Sequence, residues 1–202
     1  MDTSTEEKIL LAAKEVFIQK GYAAARMQEI ADKAEINKGL LHYYFKNKDK
    51  LFSAVFMEAF HKFAPRLNQI FEADLPLFEK IESFVDEYID VLLENPNIPL
   101  FVIHEMHQKP KDFIEKIMKN KDRPNPMKLI VQIQSEVQKG NIREINPLQL
   151  VMNMMSMCIF PFAASPLFQN MLQMDQHTYL QFMQLRKKEV SSFIIESISL
   201  KN

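Results

Sequence analysis

Cationic, aromatic and polar side chains that could bind a ligand are concentrated in one stretch of the chain, between residues 36 and 50. Four lysines stand there against one aspartate, in a chain whose formal net charge is −1. Within it, Lys38, Gly39, Leu40, His42 and Tyr43 combine a cation, a missing side chain and rings with polar tips. Such a set suits a surface that meets phosphate oxygens and base edges. The chemistry predicted here is therefore recognition of nucleic acid.

The other reactive residue types form no catalytic pattern. His104 and His107 flank Glu105 and Met106, but no third ligand follows at a spacing typical of zinc sites. The single cysteine, Cys158, lies in an apolar stretch, so we expect an unreactive core thiol. No Ser/His/Asp set, paired carboxylates or glycine-rich phosphate loop has local support. We therefore predict no enzymatic activity, no metal and no cofactor.

Two short helices joined by a three-residue turn are predicted to position the cationic stretch. The first carries Gln28 to Ala34, and the second starts at Asn37, a good N-cap, and ends near Phe45. Two such helices need inward residues that interlock, because neither buries a core alone. The expected inward residues are Ile30, Ala31, Ala34, Ile36, Leu41 and Phe45.

The composition favours helices along the whole chain, since 47% of the residues are hydrophobic and only three are glycine. We predict an all-α fold of about nine helices. The first should follow two overlapping capping boxes, Thr3 with Glu6 and Ser4 with Glu7, and end near Lys20, closed by Gly21. Proline suits the first turn of a helix because the N–H that it lacks is unpaired there. Later helices are therefore expected to begin near Pro76, Pro99, Pro110, Pro126, Pro147 and Pro166.

The sequence favours a cytoplasmic protein without a membrane partner. The N-terminus has no basic and then apolar run of the secretory type, and no apolar stretch reaches the roughly 18 residues of a membrane span.

The helical pattern and several motifs together resemble the TetR family of bacterial transcriptional regulators. The resemblance runs from Ile9 to Phe52, about a quarter of the chain. It is carried by Lys20-Gly21-Tyr22, Glu29-Ile30-Ala31, Ala34, Lys38-Gly39 and the run from Tyr43 to Leu51. It implies a DNA-binding helix-turn-helix domain over residues 1–47 and a larger helical domain over residues 48–202 for dimerisation and effector binding. The implied partners are double-stranded operator DNA, a second copy of the chain and a small-molecule effector.

The resemblance also assigns DNA contacts to eleven positions of this sequence: Arg26, Met27, Gln28, Asn37, Lys38, Gly39, Leu40, His42, Tyr43, Tyr44 and Lys48. Lys48 matches a phosphate contact at the head of the fourth helix. Three positions depart from the family pattern. Glu35 replaces a glycine in the turn, Leu40 replaces a small polar residue and is expected to touch a thymine methyl, and His42 replaces a tyrosine.

Effector binding is predicted in the C-terminal part. The candidate residues are Phe63, Tyr88, Phe101, His104, Glu105, Met152 and Met155. For His104 a structural or surface role remains an alternative. The cluster of methionines between residues 152 and 157 fits a core, a dimer interface or a cavity for apolar ligands. The helix around residues 148–160 and the final stretch, Tyr179 to Leu200, could pair across a two-fold axis as a four-helix bundle.

These observations predict a repressor that a small, largely apolar effector releases from a palindromic operator. The effector would tilt the fourth helix and change the spacing of two DNA-reading heads. The alternative is a helical enzyme or ligand-binding module that retains the helix-turn-helix as a structural element. A strongly salt-dependent shift of DNA distinguishes the two, because releasing counterions from phosphates makes binding depend on salt.

Overall fold

The computed structural model describes residues 4–108, 110–121 and 123–200, and over these residues the chain forms α-helices and no strand. The eleven helices are α1 (Thr5–Ala24), α2 (Met27–Lys33), α3 (Lys38–Tyr44), α4 (Lys48–Glu72), α5 (Leu77–Glu94), α6 (Ile98–Gln108), α7 (Pro110–Lys119), α8 (Met127–Gln138), α9 (Pro147–Ala163), α10 (Ser165–Leu172) and α11 (Gln176–Ile198). The all-α prediction is confirmed, and the estimate of about nine helices is too low. The estimate is too low because some helices are separated by very short breaks. Only Ala164 separates α9 from α10, which are bent by 70° relative to each other, and such a break leaves no gap in the apolar pattern of the sequence.

Helix starts follow the local signals closely. Pro76, Pro99, Pro110, Pro126, Pro147 and Pro166 all lie at an N-cap or within the first two residues of a helix, as predicted. Ser4 and Glu7 form the expected capping box of α1, whereas Thr3 lies outside the described residues. Asn37, Asn47, Asn146 and Asp175 cap α3, α4, α9 and α11 by accepting backbone N–H bonds.

Helix α1 runs further than expected. Gly21 has a φ of 71°, the positive value predicted for it. Beyond Gly21 the helix continues for one more turn and ends at Ala24. Gly21 therefore introduces a kink near the end of α1, which brings the carbonyls of residues 22–25 towards the start of α4.

The larger of two apolar cores, here called the C-terminal core, packs α5 and α11 against each other and against α8, α9 and the second half of α4. Its fully buried members include Ile81, Ile89, Leu129, Met154 and Ile198. Cys158 is buried there, and desolvation raises the pKa of its thiol to about 12, as expected for an unreactive core cysteine.

Pro161 lies inside α9 and removes the N–H that the Met157 carbonyl would accept. Arg186 of α11 supplies the missing donor, with Nη2 3.0 Å from the Met157 oxygen. The Tyr179 hydroxyl donates to the Pro161 carbonyl at 2.9 Å. Two side chains of α11 thus donate to carbonyl oxygens of α9 at the position where proline weakens that helix. These hydrogen bonds hold the two helices together.

Membrane-spanning potential is weak in the described part of the chain. No single helix there combines the length and apolar composition of a span, and the one combination that does, α9 with α10, is strongly bent.

The second core, here called the head core, interlocks α1, α2, α3 and the first half of α4. Ile30, Ala31, Leu41 and Phe45 are buried in it as predicted, and Ile36 of the turn packs against it. Phe101 of α6 and Phe113 of α7 are also buried in this core. The packing therefore crosses the predicted domain boundary between residues 47 and 48.

Candidate DNA-binding interface

The turn between α2 and α3 is closed by a Schellman motif. Glu35 adopts a left-handed conformation with a φ of 57°. The Ile36 N–H donates to the Ala31 carbonyl at 3.0 Å, and the Glu35 N–H donates to the Asp32 carbonyl at 3.1 Å. This arrangement turns the chain sharply after α2 and directs Ile36 onto the head core. It also explains why a glycine would suit position 35.

Replacing Glu35 by glycine is expected to raise the free energy of unfolding by about 1 kcal/mol, because glycine has no Cβ to strain the left-handed backbone. Urea denaturation of the wild type and the variant measures the difference. Glu35→Gln is the matched control, since it removes the charge but keeps the Cβ, and it should change stability by less than half as much. A glycine variant less stable than the glutamine variant would refute the strain argument.

The outer face of α3 is open to solvent. Tyr43 is 81% exposed, and its ring lies edge-on to that of Tyr44, with centroids 5.6 Å apart. Lys38, Gly39 and His42 are also exposed, whereas Leu40 is half-buried. Leu41, on the opposite face, is fully buried. The structure thus places the predicted DNA-reading side chains together on one face, held by a rigid inner face.

The residues predicted at the start of α2 differ in their availability. Arg26 is the exposed N-cap of α2 and makes no capping bond with its side chain. Gln28 donates from Nε2 to Asp32 Oδ1 at 2.7 Å, and Met27 is half-buried against the head core. Asn37 accepts the Leu40 N–H at 2.8 Å, which gives it a structural task at the start of α3. Arg26 and Gln28 are therefore the members of this group whose side chains are exposed and make no capping bond.

His42 makes a contact that the sequence did not indicate. Its Nδ1 lies 3.2 Å from the carbonyl oxygen of Lys46, four residues further along the chain. A hydrogen bond therefore holds the His42 ring against the backbone just beyond the end of α3.

Lys48 binds the backbone of the end of α1. Its ammonium donates to the carbonyl oxygens of Tyr22, Ala23 and Ala25 at 2.8, 3.3 and 3.2 Å, and it lies 4.4 Å from the centroid of the Tyr22 ring. Three carbonyls use all three ammonium protons. The ammonium therefore ties the end of α1 to the start of α4, and the phosphate contact predicted for Lys48 stays a prediction.

Tyr22 is the residue that the sequence reasoning missed. Its hydroxyl donates to the Asp49 carboxylate, and burial together with this bond raises the pKa of the phenol. Its ring packs against Phe52, with centroids 4.8 Å apart, and against His104 of α6 at 5.2 Å. The available signal was an aromatic residue with a polar tip directly after Gly21.

Helix α6 connects the rest of the molecule to the head, which is the part formed by α1, α2, α3 and the first half of α4. Asn97, just before α6, donates from Nδ2 to the Phe17 carbonyl at 2.5 Å. Phe101 packs between Phe52 and Phe56, with ring centroids 5.0 and 4.2 Å away. These contacts fix the orientation of α1 and α4 relative to α6.

The predicted effector residues do not form one site. Phe63 and Tyr88 pack edge to face beside the C-terminal core, with centroids 5.1 Å apart, whereas Phe101 belongs to the head core. His104 and Glu105 line a polar cleft of about 660 Å³ between the head and α7. Met152 and Met155 lie on the exposed face of α9. The structure therefore does not bring these residues together, because Phe101 and His104 of α6 face the head and the two methionines face outward, and their role in effector binding stays a prediction.

An open apolar groove runs along α9 at Met152 and Met155. It has a volume of about 660 Å³ and is bordered by Ile103 of α6. Its other lining residues are Leu148, Val151, Ser156, Ile159, Phe160 and Ala163. In the described part of the chain no group of three or more His, Cys, Asp or Glu side chains could hold a metal ion.

Comparison with known proteins relates the head to a large group of regulators. The family model for bacterial regulatory proteins of the tetR family matches residues 9–55. The fatty acid metabolism regulator protein of Bacillus subtilis is 25% identical over 138 residues, which are 68% of this chain and 70% of that protein. The transcriptional regulator QacR of Staphylococcus aureus is 49% identical over 47 residues, 23% of this chain and 25% of the relative.

Solved structures extend the likeness to the whole fold. A bacterial regulatory protein in the tetR family from Rhodococcus has a TM-score of 0.72 at 18% identity, covering 100% of both chains. A TetR family transcriptional regulator from Thermus thermophilus has a TM-score of 0.66 at 16% identity, covering 96% of this chain and 99% of the other.

Proposed function

The chain belongs to the TetR family of bacterial regulatory proteins and is a DNA-binding transcriptional regulator, and we propose that it acts in the cytoplasm as a homodimeric repressor of a palindromic operator. The family and the relatives are regulators rather than enzymes. The observation that carries the proposal is the outer face of α3, where Lys38, His42 and the 81% exposed Tyr43 project from a helix with a buried inner face. A helix of this kind enters the major groove.

Dimerisation is supported by the apolar surface of α9, α10 and α11. Monomeric proteins rarely expose large contiguous apolar patches, so such a surface marks an interaction site. Of the large apolar side chains exposed on these helices, four line the groove along α9, Leu148, Met152, Met155 and Phe160, and six remain for an interface, Leu167, Met171, Leu172, Phe182, Leu185 and Phe193. Exposed residues of α11, with α9 beside them, would form a four-helix bundle with their symmetry mates that leaves the groove open, as the sequence predicted for these two helices.

The proposed effector is a small, largely apolar molecule. The groove beside Met152 and Met155 is lined by flexible, polarizable methionines and has Ser156 as a polar residue. A similar regulator is named for fatty acid metabolism, so fatty acids are the first compounds to test. Ile103 borders the groove while the neighbouring His104 contacts Tyr22 of the head. Helix α6 thus offers a path from the groove to the head, in addition to α4.

Selection of bound sequences from random DNA tests the proposal. We expect an inverted repeat whose half-sites are about one helical turn or more apart, because the two heads of a dimer read equivalent half-sites. Binding should weaken steeply with salt as counterions are released from the phosphates. Enrichment of no sequence, or of a single unrepeated site, would refute the dimeric operator.

Lys48→Met is expected to weaken binding to all DNA equally and to leave the salt dependence unchanged, since the ammonium lies on carbonyls and not on a phosphate. The free energy of unfolding should fall by about 1–2 kcal/mol through the lost charge-assisted bonds. Lys46→Met is the matched comparison, because Lys46 is exposed. Loss of one phosphate contact lowers the slope of log K against log salt by about 0.9. Such a drop in the Lys48 variant would establish the phosphate contact that the sequence predicts.

A further inference from the structure

The contact of His42 with the backbone determines what its ring can recognise. A carbonyl oxygen only accepts hydrogen bonds, so the Nδ1 atom that lies 3.2 Å from the Lys46 oxygen must carry a proton. In a neutral imidazole one nitrogen donates and the other accepts. The exposed ring of His42 therefore presents Nε2 as an acceptor.

Few side chains on the outer face of α3 can accept a hydrogen bond. Lys38 can only donate, Leu40 is apolar and Gly39 has no side chain, so His42 and the tyrosine hydroxyls are the acceptors available on this face. In the major groove the donors are the exocyclic amino groups of adenine and cytosine, whereas guanine offers only N7 and O6 and phosphates offer only acceptors. An Nε2 acceptor is therefore mismatched with phosphate and with guanine.

We propose that His42 is a specificity-determining residue that reads an exocyclic amino group, N6 of adenine or N4 of cytosine, through Nε2, because its Nδ1–H is held by the Lys46 carbonyl. This inference rests on the proposed DNA contact of α3 and adds the chemical group that the side chain at this position contacts.

The tautomer can be measured without DNA. Nitrogen-15 NMR of histidine-labelled wild-type protein, with His42→Gln to assign the signal, distinguishes a protonated from an unprotonated ring nitrogen. We expect Nδ1 protonated and Nε2 unprotonated in the free protein and in the operator complex. An Nε2–H tautomer in the free protein, or an imidazolium in the complex, would overturn the proposal.

The base preference is tested by selection from random DNA with wild type, His42→Phe and His42→Lys. Wild type should prefer one base pair at one position of each half-site, His42→Phe should lose that preference, and His42→Lys should change it to another base pair, because lysine only donates and contacts the acceptors of guanine or thymine. Lys38→Met is the control and should alter a different position. A His42→Phe variant that kept the wild-type preference at every position would contradict the assignment.

An operator without the selected amino group completes the test. Purine in place of adenine, or pyrimidin-2-one in place of cytosine, should weaken wild-type binding about three- to tenfold, as expected for one hydrogen bond. The same substitution should leave His42→Phe unaffected. Equal losses in both proteins would refute the contact. Absence of any salt-dependent DNA binding by the wild type would instead refute the proposed function, whatever tautomer NMR showed.

Discussion

We expect the double variant Leu185→Glu/Phe193→Glu to be monomeric and to bind operator DNA about 10²- to 10⁴-fold more weakly than wild type, because a dimer gains this factor when its second head binds intramolecularly. The two side chains are 65% and 62% exposed in the single chain, and both lie outside the C-terminal core, on the exposed apolar face of α11. Charges there should therefore spare the fold of each subunit and prevent association of two apolar faces.

Analytical ultracentrifugation and a mobility-shift titration measure the two effects together. Gln184→Glu is the matched control, since it adds a negative charge at an exposed position of α11 outside that apolar face. It should remain dimeric and bind DNA like the wild type. A double variant that stayed dimeric would exclude this face of α11 from the interface. A monomer with full operator affinity would show that one head is sufficient.

The head could be predicted from sequence because its determinants are local. Asn37 caps α3 and accepts the N–H of the residue three positions later. Leu41 and the C-cap residue Phe45, four residues apart, both face inward. Six prolines similarly marked helix starts, since each acts on its own first turn. Such signals require no knowledge of how distant segments pack.

The exposed side of α9 could not be predicted in the same way. Helix α9 carries methionine at positions 152, 154, 155 and 157, so no polar face shows which side is buried. The structure buries Met154 completely and leaves Met152 58% exposed. Only tertiary packing makes that distinction. An apolar helix with one unburied side is what a dimer interface or an open groove requires.

The role of Lys48 depended on a distant backbone. Its position at the head of α4 favours an anion contact, but the carbonyls that it binds are available only because Gly21 kinks α1. The partner residues are more than twenty positions earlier in the chain. A motif thus identified the residue, and the geometry of another helix determined its contacts.

Phe101 should be a large contributor to stability, and we expect Phe101→Ala to lower the free energy of unfolding by about 3–5 kcal/mol. The side chain is 1% exposed and fills the space between Phe52, Phe56 and Phe113. Truncation removes the apolar contacts and leaves a cavity that the surrounding helices fill only in part. The loss should occur in the head core, although residue 101 is more than fifty positions beyond α3.

Denaturant unfolding followed by circular dichroism measures the loss, and Leu100→Ala is the matched control because Leu100 is adjacent on α6 but 43% exposed. The control should change stability by about 1 kcal/mol or less. DNA binding gives a second readout: in Phe101→Ala the heads should lose their fixed orientation, so affinity should fall even where the protein remains folded. If Phe101→Ala were no more destabilising than Leu100→Ala, α6 would not be part of the head core. A folded Phe101 variant with wild-type affinity would show that α6 does not orient the heads.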